Sequence, residues 1–185
     1  MKKHVFLVAA FLLLSFQLFA QTPVYLTKAY KPVESEFYDA YSSHEIQGGD
    51  TWNNCFVLNV INNYCGRAVF KLGGKYETIS FIMGPDKGHG KCDPNIVQIH
   101  ADGKRIFEHV VRDSDLAEHF TLNISGVDKL EFSLFRPQCE VAFCEVALWT
   151  KGQTPHDLRG KHDPEVKSRM LFRDIAPYRM NGSSF

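Results

Sequence analysis

The chain has 185 residues, balances 21 basic against 21 acidic side chains, and is 44% hydrophobic and 13% aromatic. A neutral chain lacks the basic field that nucleic acid or an anionic membrane surface requires, so neither is an expected partner. The composition is too apolar for intrinsic disorder and sufficient for one buried core.

Lys2, Lys3 and His4 precede an apolar run from Val5 to Leu14, and Ser15 to Ala20 lead into polar Gln21, Thr22 and Pro23. This is the pattern of a cleaved export signal, predicted over residues 1–20 with the cut after Ala20. The run is shorter than the roughly 20 apolar residues that span a bilayer, and Ser15 and Gln17 interrupt it. The mature chain is therefore expected to be exported, secreted or periplasmic, with no membrane span. Loss of Lys2 and Lys3 takes the basic count from 21 to 19 and leaves the chain close to neutral.

Residues 21–51 mix aromatic and polar side chains without a sustained period and end at Gly48-Gly49-Asp50; they read as a lead-in segment able to add an edge strand. From Trp52 the pattern alternates: Phe56, Leu58 and Val60; Ala68, Phe70 and Leu72; Ile79, Phe81 and Met83; Val97, Ile99 and Ala101; Phe120, Leu122 and Ile124; Leu130, Phe132 and Leu134. Period two predicts strands with one face buried and one exposed. Asp102-Gly103 between two such runs predicts a hairpin with a type I′ turn, and Gly73-Gly74 and Ser125-Gly126 punctuate two further pairs. Val141 to Leu148 is a further apolar strand, which Trp149 follows into the core or its rim. Residues 52–150 are thus predicted to form an all-β antiparallel sandwich. Residues 151–185 form a tail, with Asp163-Pro164-Glu165 opening a short helix to about Phe172.

Cys55, Cys65, Cys92, Cys139 and Cys144 are an odd set, so at least one is unpaired in a monomer. Two bridges can be drawn in about 15 ways, which the sequence does not choose between. Cys139 and Cys144 would point to opposite faces of one continuous strand, unless a turn at Pro137 and Gln138 intervenes. No zinc-ligand spacing is present.

The loop from Gly84 to Asp93 carries the densest functional chemistry. It is not a phosphate loop: five residues separate Gly84 from Gly90-Lys91, Cys92 follows instead of Ser or Thr, and a strand rather than a helix comes next. Proximity of His89 and Cys92 along a loop does not make a thiol nucleophile, and no motif selects a pair of glycosidase carboxylates. No catalytic residues are assigned. Sugar binding needs an aromatic face and hydrogen-bonding groups at loop ends. Trp52, Asn53 and Asn54, then Asn62, Asn63, Tyr64 and Arg67, then Asp86, His89 and Asp93 supply candidates, with Asp86 and Asp93 also able to ligate a structural calcium ion.

Three stretches, Ala68 to Gly84, Ile99 to Phe107 and Leu122 to Phe132, resemble in order and spacing the NPCBM family of carbohydrate-binding modules. The resemblance runs over about 100 residues, from Asn53 to Trp149, and rests on Leu72-Gly73-Gly74-Lys75-Tyr76, the Asp102-Gly103-Lys104 hairpin and Ser125-Gly126-Val127. It implies a galactose-binding-like β-sandwich of jelly-roll form. Family members often carry a Gly-x-x-His segment and a Trp-Ala-Asp segment; here Tyr64-Cys65-Gly66-Arg67-Ala68 has no histidine, and Phe143 and Glu145 stand where Trp and Asp are expected. The resemblance thereby adds Glu145 to the ligand-binding candidates. The expected function is non-catalytic binding of a glycan or polysaccharide. The alternative is a structural or protein-interaction sandwich, with another secreted protein as partner, that has lost its sugar site.

Overall fold

The structure, a computed structural model, describes residues 22–47, 50–87 and 92–155. The expected export signal, His89 and the helix expected from Asp163 lie outside the described residues. In chain order the strands are β1 (Val24–Tyr25), β2 (Glu34–Glu36), β3 (Tyr38–Ile46), β4 (Asp50–Leu58), β5 (Val60–Ile61), β6 (Tyr64–Cys65), β7 (Arg67–Lys71), β8 (Thr78–Pro85), β9 (Asn95–Ala101), β10 (Lys104–Val111), β11 (Glu118–Asn123), β12 (Lys129–Leu134) and β13 (Val141–Trp149). One helical turn, Leu26–Ala29, follows β1.

Two antiparallel sheets face each other, as the alternation predicts. The first runs β11-β8-β13-β4-β3, with β1 also paired to β13; the second runs β10-β9-β12-β7-β2. The alternating side chains of all six predicted runs meet between them. At the centre Phe56 stacks on Phe143 at 4.8 Å, and Phe132 lies edge-on to both at 5.2 and 5.3 Å. Asp102 and Gly103 take φ of 49° and 83°, the type I′ geometry expected of that hairpin. The lead-in segment does more than add one strand: β2 and β3 are edges of the two sheets, and β4 begins at Asp50, across the expected boundary at residue 52.

Burial on one face only, the reading that period two implied, fails for β13, β8 and the second half of β4. Every residue of β13 is buried, as are seven of the eight in β8. The cause is a break in parity shared by β4 and β13. On β13, Val141 and Phe143 point inward, and so do Val146 and Leu148; the odd step is absorbed by Glu145, at φ 48°. On β4, Trp52 and Cys55 share the outer side across Asn54, at φ 53°. One extra residue per strand is a bulge, which bends the strand. Here β4 pairs with β13 only from Phe56 to Leu58, and β1 takes over the vacated edge, with Val24 opposite Leu148.

Freed from β13, the outer half of the β3–β4 hairpin folds as an arm over the outer face of its own sheet. Ile46 bridges to Asp86 although β4 and β13 lie between β3 and β8 in the sheet, and the Gln47 N–H donates to the Pro85 carbonyl at 3.0 Å. Beneath the arm, Ile46 and Trp52 pack with Cys55, Val57, Ile82, Ala117, Ala142 and Cys144 in a second apolar cluster. Gly84 makes the close approach possible: a Cβ there would stand 2.7 Å from Ile46 Cγ2 and 3.3 Å from Ala117 Cα.

Two phenols tie the core to alkaline stability. Tyr38 packs on Phe56 and Phe70, and burial, then the Asp39 charge, pushes its hydroxyl up to about 12. Tyr76 is also pushed up to about 12, by burial first and then by its 2.9 Å hydrogen bond with Tyr30. Both folded values lie above the unfolded phenol value of 10.0. Their contribution is therefore complete below about pH 10 and disappears as pH rises through about 12. Urea unfolding across this range, read with phenolate absorbance, is expected to show stability falling in that window; constant stability to pH 12 would contradict the burial of both hydroxyls.

Candidate functional site

Three of the sequence candidates form the pivot of the arm instead of a sugar surface. Trp52 is wholly buried and presents no ring face to solvent. Asn54 and Glu145 are 6% and 2% exposed and hold each other: Glu145 accepts from the Asn53 N–H and from Asn54 Nδ2, both at 3.3 Å. The Tyr25 hydroxyl also bonds to Glu145, and burial followed by that carboxylate raises its pKa. A carboxylate taken out of water needs such donors, or its desolvation would cost several kcal/mol, of order ~3–5. The Cys55–Cys144 bridge closes the same spot. The structure thus places Trp52, Asn54 and Glu145 inside the pivot, with little or no surface open to solvent.

Arg67 is likewise engaged. Its Nε and Nη2 donate to Glu131 at 2.8 and 3.2 Å and its Nη1 donates to Glu34 at 3.0 Å, on the solvent side of the second sheet. The bond to Glu131 above all raises the guanidinium pKa. With three of its five N–H donors on two carboxylates, Arg67 braces β7 against β12 and β2 on either side.

The second disulfide, Cys92–Cys139, makes Cys92 a bridge partner, and Cys65 is the free fifth cysteine. Asp93, with Cys92, Asp113 and Gln138, lines an open depression of about 530 Å³. Asp86 is paired with His44, and among the described residues no three His, Cys, Asp or Glu side chains come together as a metal site. No described helix is long and apolar enough to cross a membrane.

What the fold does bring together is a rim at the base of the arm. Asp39 and Tyr41 lie opposite Val57 and Cys55, on the outer side of β3. His44, three residues on, stacks on Tyr41 with centroids 4.6 Å apart, and its Nε2 meets Asp86 Oδ1. Lys87 pairs with Glu45 beside it. Glu140 enters from the segment before β13: its carbonyl accepts the Asp86 N–H at 3.0 Å and its Oε1 accepts the Val60 N–H at 3.3 Å. Asp39 accepts from Asn59 Nδ2 at 2.7 Å. Tyr41 is 39% exposed, and burial, followed by the charges of Asp39, Asp86 and Glu140, raises its pKa. The rim is thus one aromatic face, fixed from behind by an imidazole and surrounded by carboxylate acceptors.

Of the sequence candidates, Asp86 belongs to this rim, and Tyr64, 66% exposed, stands on the neighbouring β5–β6 hairpin. Tyr41, His44 and Glu140 were missed. The signal for Tyr41 and His44 was the Gly48-Gly49-Asp50 punctuation, which reads equally as the turn of a hairpin pairing residues 38–46 with the strand that follows; nothing of that kind marks Glu140.

No protein-family model matches the chain, and no curated protein matches it in sequence. Among solved structures it is similar to the M60 catalytic domain with the CBM51-1 and CBM51-2 domains of ZmpB from Clostridium perfringens, at 17% identity and TM-score 0.56, covering 69% of this chain and 15% of that one. It is similar to CBM51 of GH95 from Clostridium perfringens, in complex with methyl-galactose, at 13% identity and TM-score 0.55, covering 69% of this chain and 99% of that one. The tandem CBM51 modules of Sp3GH98, a family 98 glycoside hydrolase from Streptococcus pneumoniae SP3-BS71, give 13% identity and TM-score 0.56, covering 75% of this chain and 50% of that one. The chain thus spans 15% of the first of these proteins, half of the third and nearly all of the second. The shared feature is the fold, that of carbohydrate-binding modules.

Proposed function

We propose that the chain is an exported, non-catalytic carbohydrate-binding module, in line with its resemblance to the NPCBM family, and that it holds a sugar ring over Tyr41. The observation that carries this reading is the stacked Tyr41–His44 pair with Asp86 bound to the imidazole. An aromatic face takes the apolar side of a pyranose, and carboxylates accept from its hydroxyls. Likeness to sugar-binding modules supports the reading by analogy of fold. The carboxylates serve as acceptors already anchored by His44, Asn59 and the Val60 N–H, so no bond-breaking role is assigned to them.

The charge of the rim sets an expected preference. Three carboxylates around one phenol repel an anionic sugar, so galactose should bind more tightly than galacturonic acid, which differs in bearing a carboxylate at C6. Affinity electrophoresis against neutral polysaccharides, then calorimetry with these two sugars, tests the proposal. Tyr41→Ala is expected to weaken binding by about tenfold or more while the circular dichroism spectrum stays unchanged. Retardation by no neutral polysaccharide, or undiminished binding by the variant, would overturn the assignment.

A protein-interaction role is the second reading, favoured by the exposed apolar side chains Val33, Ile61 and Phe135. A partner recovered equally by wild type and Tyr41→Ala, with no glycan bound, would support it.

A further inference from the structure

We infer that the ligand is an oligosaccharide rather than a single sugar, because the β5–β6 hairpin presents a second ring platform, Tyr64 stacked on Phe37, at the start of the strand that carries Tyr41. The inference rests on the reading of Tyr41 as a sugar platform.

The second platform is built with the same plan as the first. The Tyr64 and Phe37 rings are stacked, with centroids 6.3 Å apart and planes 26° apart, and Tyr64 is 66% exposed. An aromatic ring left in water on a two-stranded hairpin contributes little to the core, yet the chain is constrained to hold it there. Asn62 and Asn63 take φ of 51° and 67°, a type I′ turn that fixes the hairpin carrying the ring. Phe37 takes φ of 46°, a left-handed conformation that strains a bulky residue. Its carbonyl accepts the Asn59 N–H at 2.8 Å, the bond that holds the hairpin base against the start of β3. Gly66 closes the same base: a Cβ there would lie 2.8–2.9 Å from the Phe37 carbonyl oxygen and the Asn59 backbone.

The two platforms are joined by polar groups. Asp39 sits midway in sequence between Phe37 and Tyr41 and accepts from Asn59 Nδ2, at the root of the hairpin. Glu140, whose charge reaches Tyr41, accepts the Val60 N–H of β5. Four residue steps of extended chain lead from Phe37 to Tyr41, a backbone distance of about 13 Å. One pyranose cannot touch both rings, whereas a short chain can, with Asp39 and Glu140 facing the hydroxyls between.

Calorimetry on the full mature chain tests this, using methyl-β-galactoside and β-1,4-linked galacto-oligosaccharides of two to five units, with the corresponding cello-oligosaccharides as a second series. Wild type is expected to gain about tenfold in affinity from the monosaccharide to the longest oligomer, since the second contact is made within one complex. Tyr64→Ala is expected to abolish that gain and to leave the monosaccharide constant unchanged, while Tyr64→Phe retains the gain. Tyr64 is exposed, so near-ultraviolet circular dichroism should confirm that both variants are folded. Equal wild-type affinity for one unit and five, or a gain that survives in Tyr64→Ala, overturns the second platform alone. Unchanged monosaccharide binding in Tyr41→Ala, or no binding of either series to wild type, overturns the first platform and this inference with it.

Discussion

Trp52→Ala is expected to lower the unfolding free energy by about 3–5 kcal/mol, the range for deleting a large buried aromatic. The side chain is wholly enclosed between the arm and the outer face of the first sheet, where it shares a cluster with Ile46, Ile82, Ala142 and Cys144. Removing it leaves a cavity that the bulged strand cannot collapse to fill, because the disulfide and the Asn54–Glu145 contact hold the pivot in place. Typical domains are stable by about 5–15 kcal/mol, so the loss is a large share of the total. Urea unfolding gives the number. Weakened sugar binding should accompany it, since His44 is carried by the same arm, opposite Trp52 in the register. A change below about 1 kcal/mol would contradict the packing of the arm.

Removing the Cys55–Cys144 bridge with the double substitution Cys55→Ala and Cys144→Ala is expected to cost about 4 kcal/mol. The two cysteines are 89 residues apart, but Cys92–Cys139, 47 residues apart, closes a loop inside that span. The chain newly released is therefore roughly 40 residues, and the loop-closure entropy grows only with the logarithm of that length. The loss should appear as a lower denaturant midpoint. Because the bridge joins β4 to β13 one residue beyond their last pair, Phe56 with Phe143, proteolysis should cut the arm of the variant before the rest of the sandwich. A loss of less than about 1 kcal/mol would indicate that the bridge adds no constraint beyond the pairing of the two strands.

The reading of the amino-acid order succeeded where neighbours along the chain carry the physics. Alternation at Ile79, Phe81 and Met83, or at Leu130, Phe132 and Leu134, follows from the pleat, and every run of this kind lies in the inner core. Asp102-Gly103 turned the chain because both residues tolerate positive φ. The same local rules did not show that Trp52 and Asn54, or Glu145 from the resemblance, would be buried together. A polar pair beside an aromatic looks like a loop-end site until two bulges, 91 residues apart in sequence, are seen to face each other. Nothing near Asn54 announces Glu145; their partnership exists only because β4 and β13 are neighbours in the sheet.

Cysteine pairing was open for the same reason, since proximity in space depends on strand order rather than on spacing. Asp86 was legible as a polar residue at a strand end, whereas Tyr41 and His44 lay in a segment whose period is broken near Ser42 and so looked irregular. Local pattern, then, decides which residues become strands and which side of a strand turns inward, because those choices involve one residue and its immediate neighbours. Long-range pairing decides where a strand bends, which half of a hairpin folds back and which charged and aromatic groups end at the rim, because those outcomes depend on contacts that form after the sheets assemble.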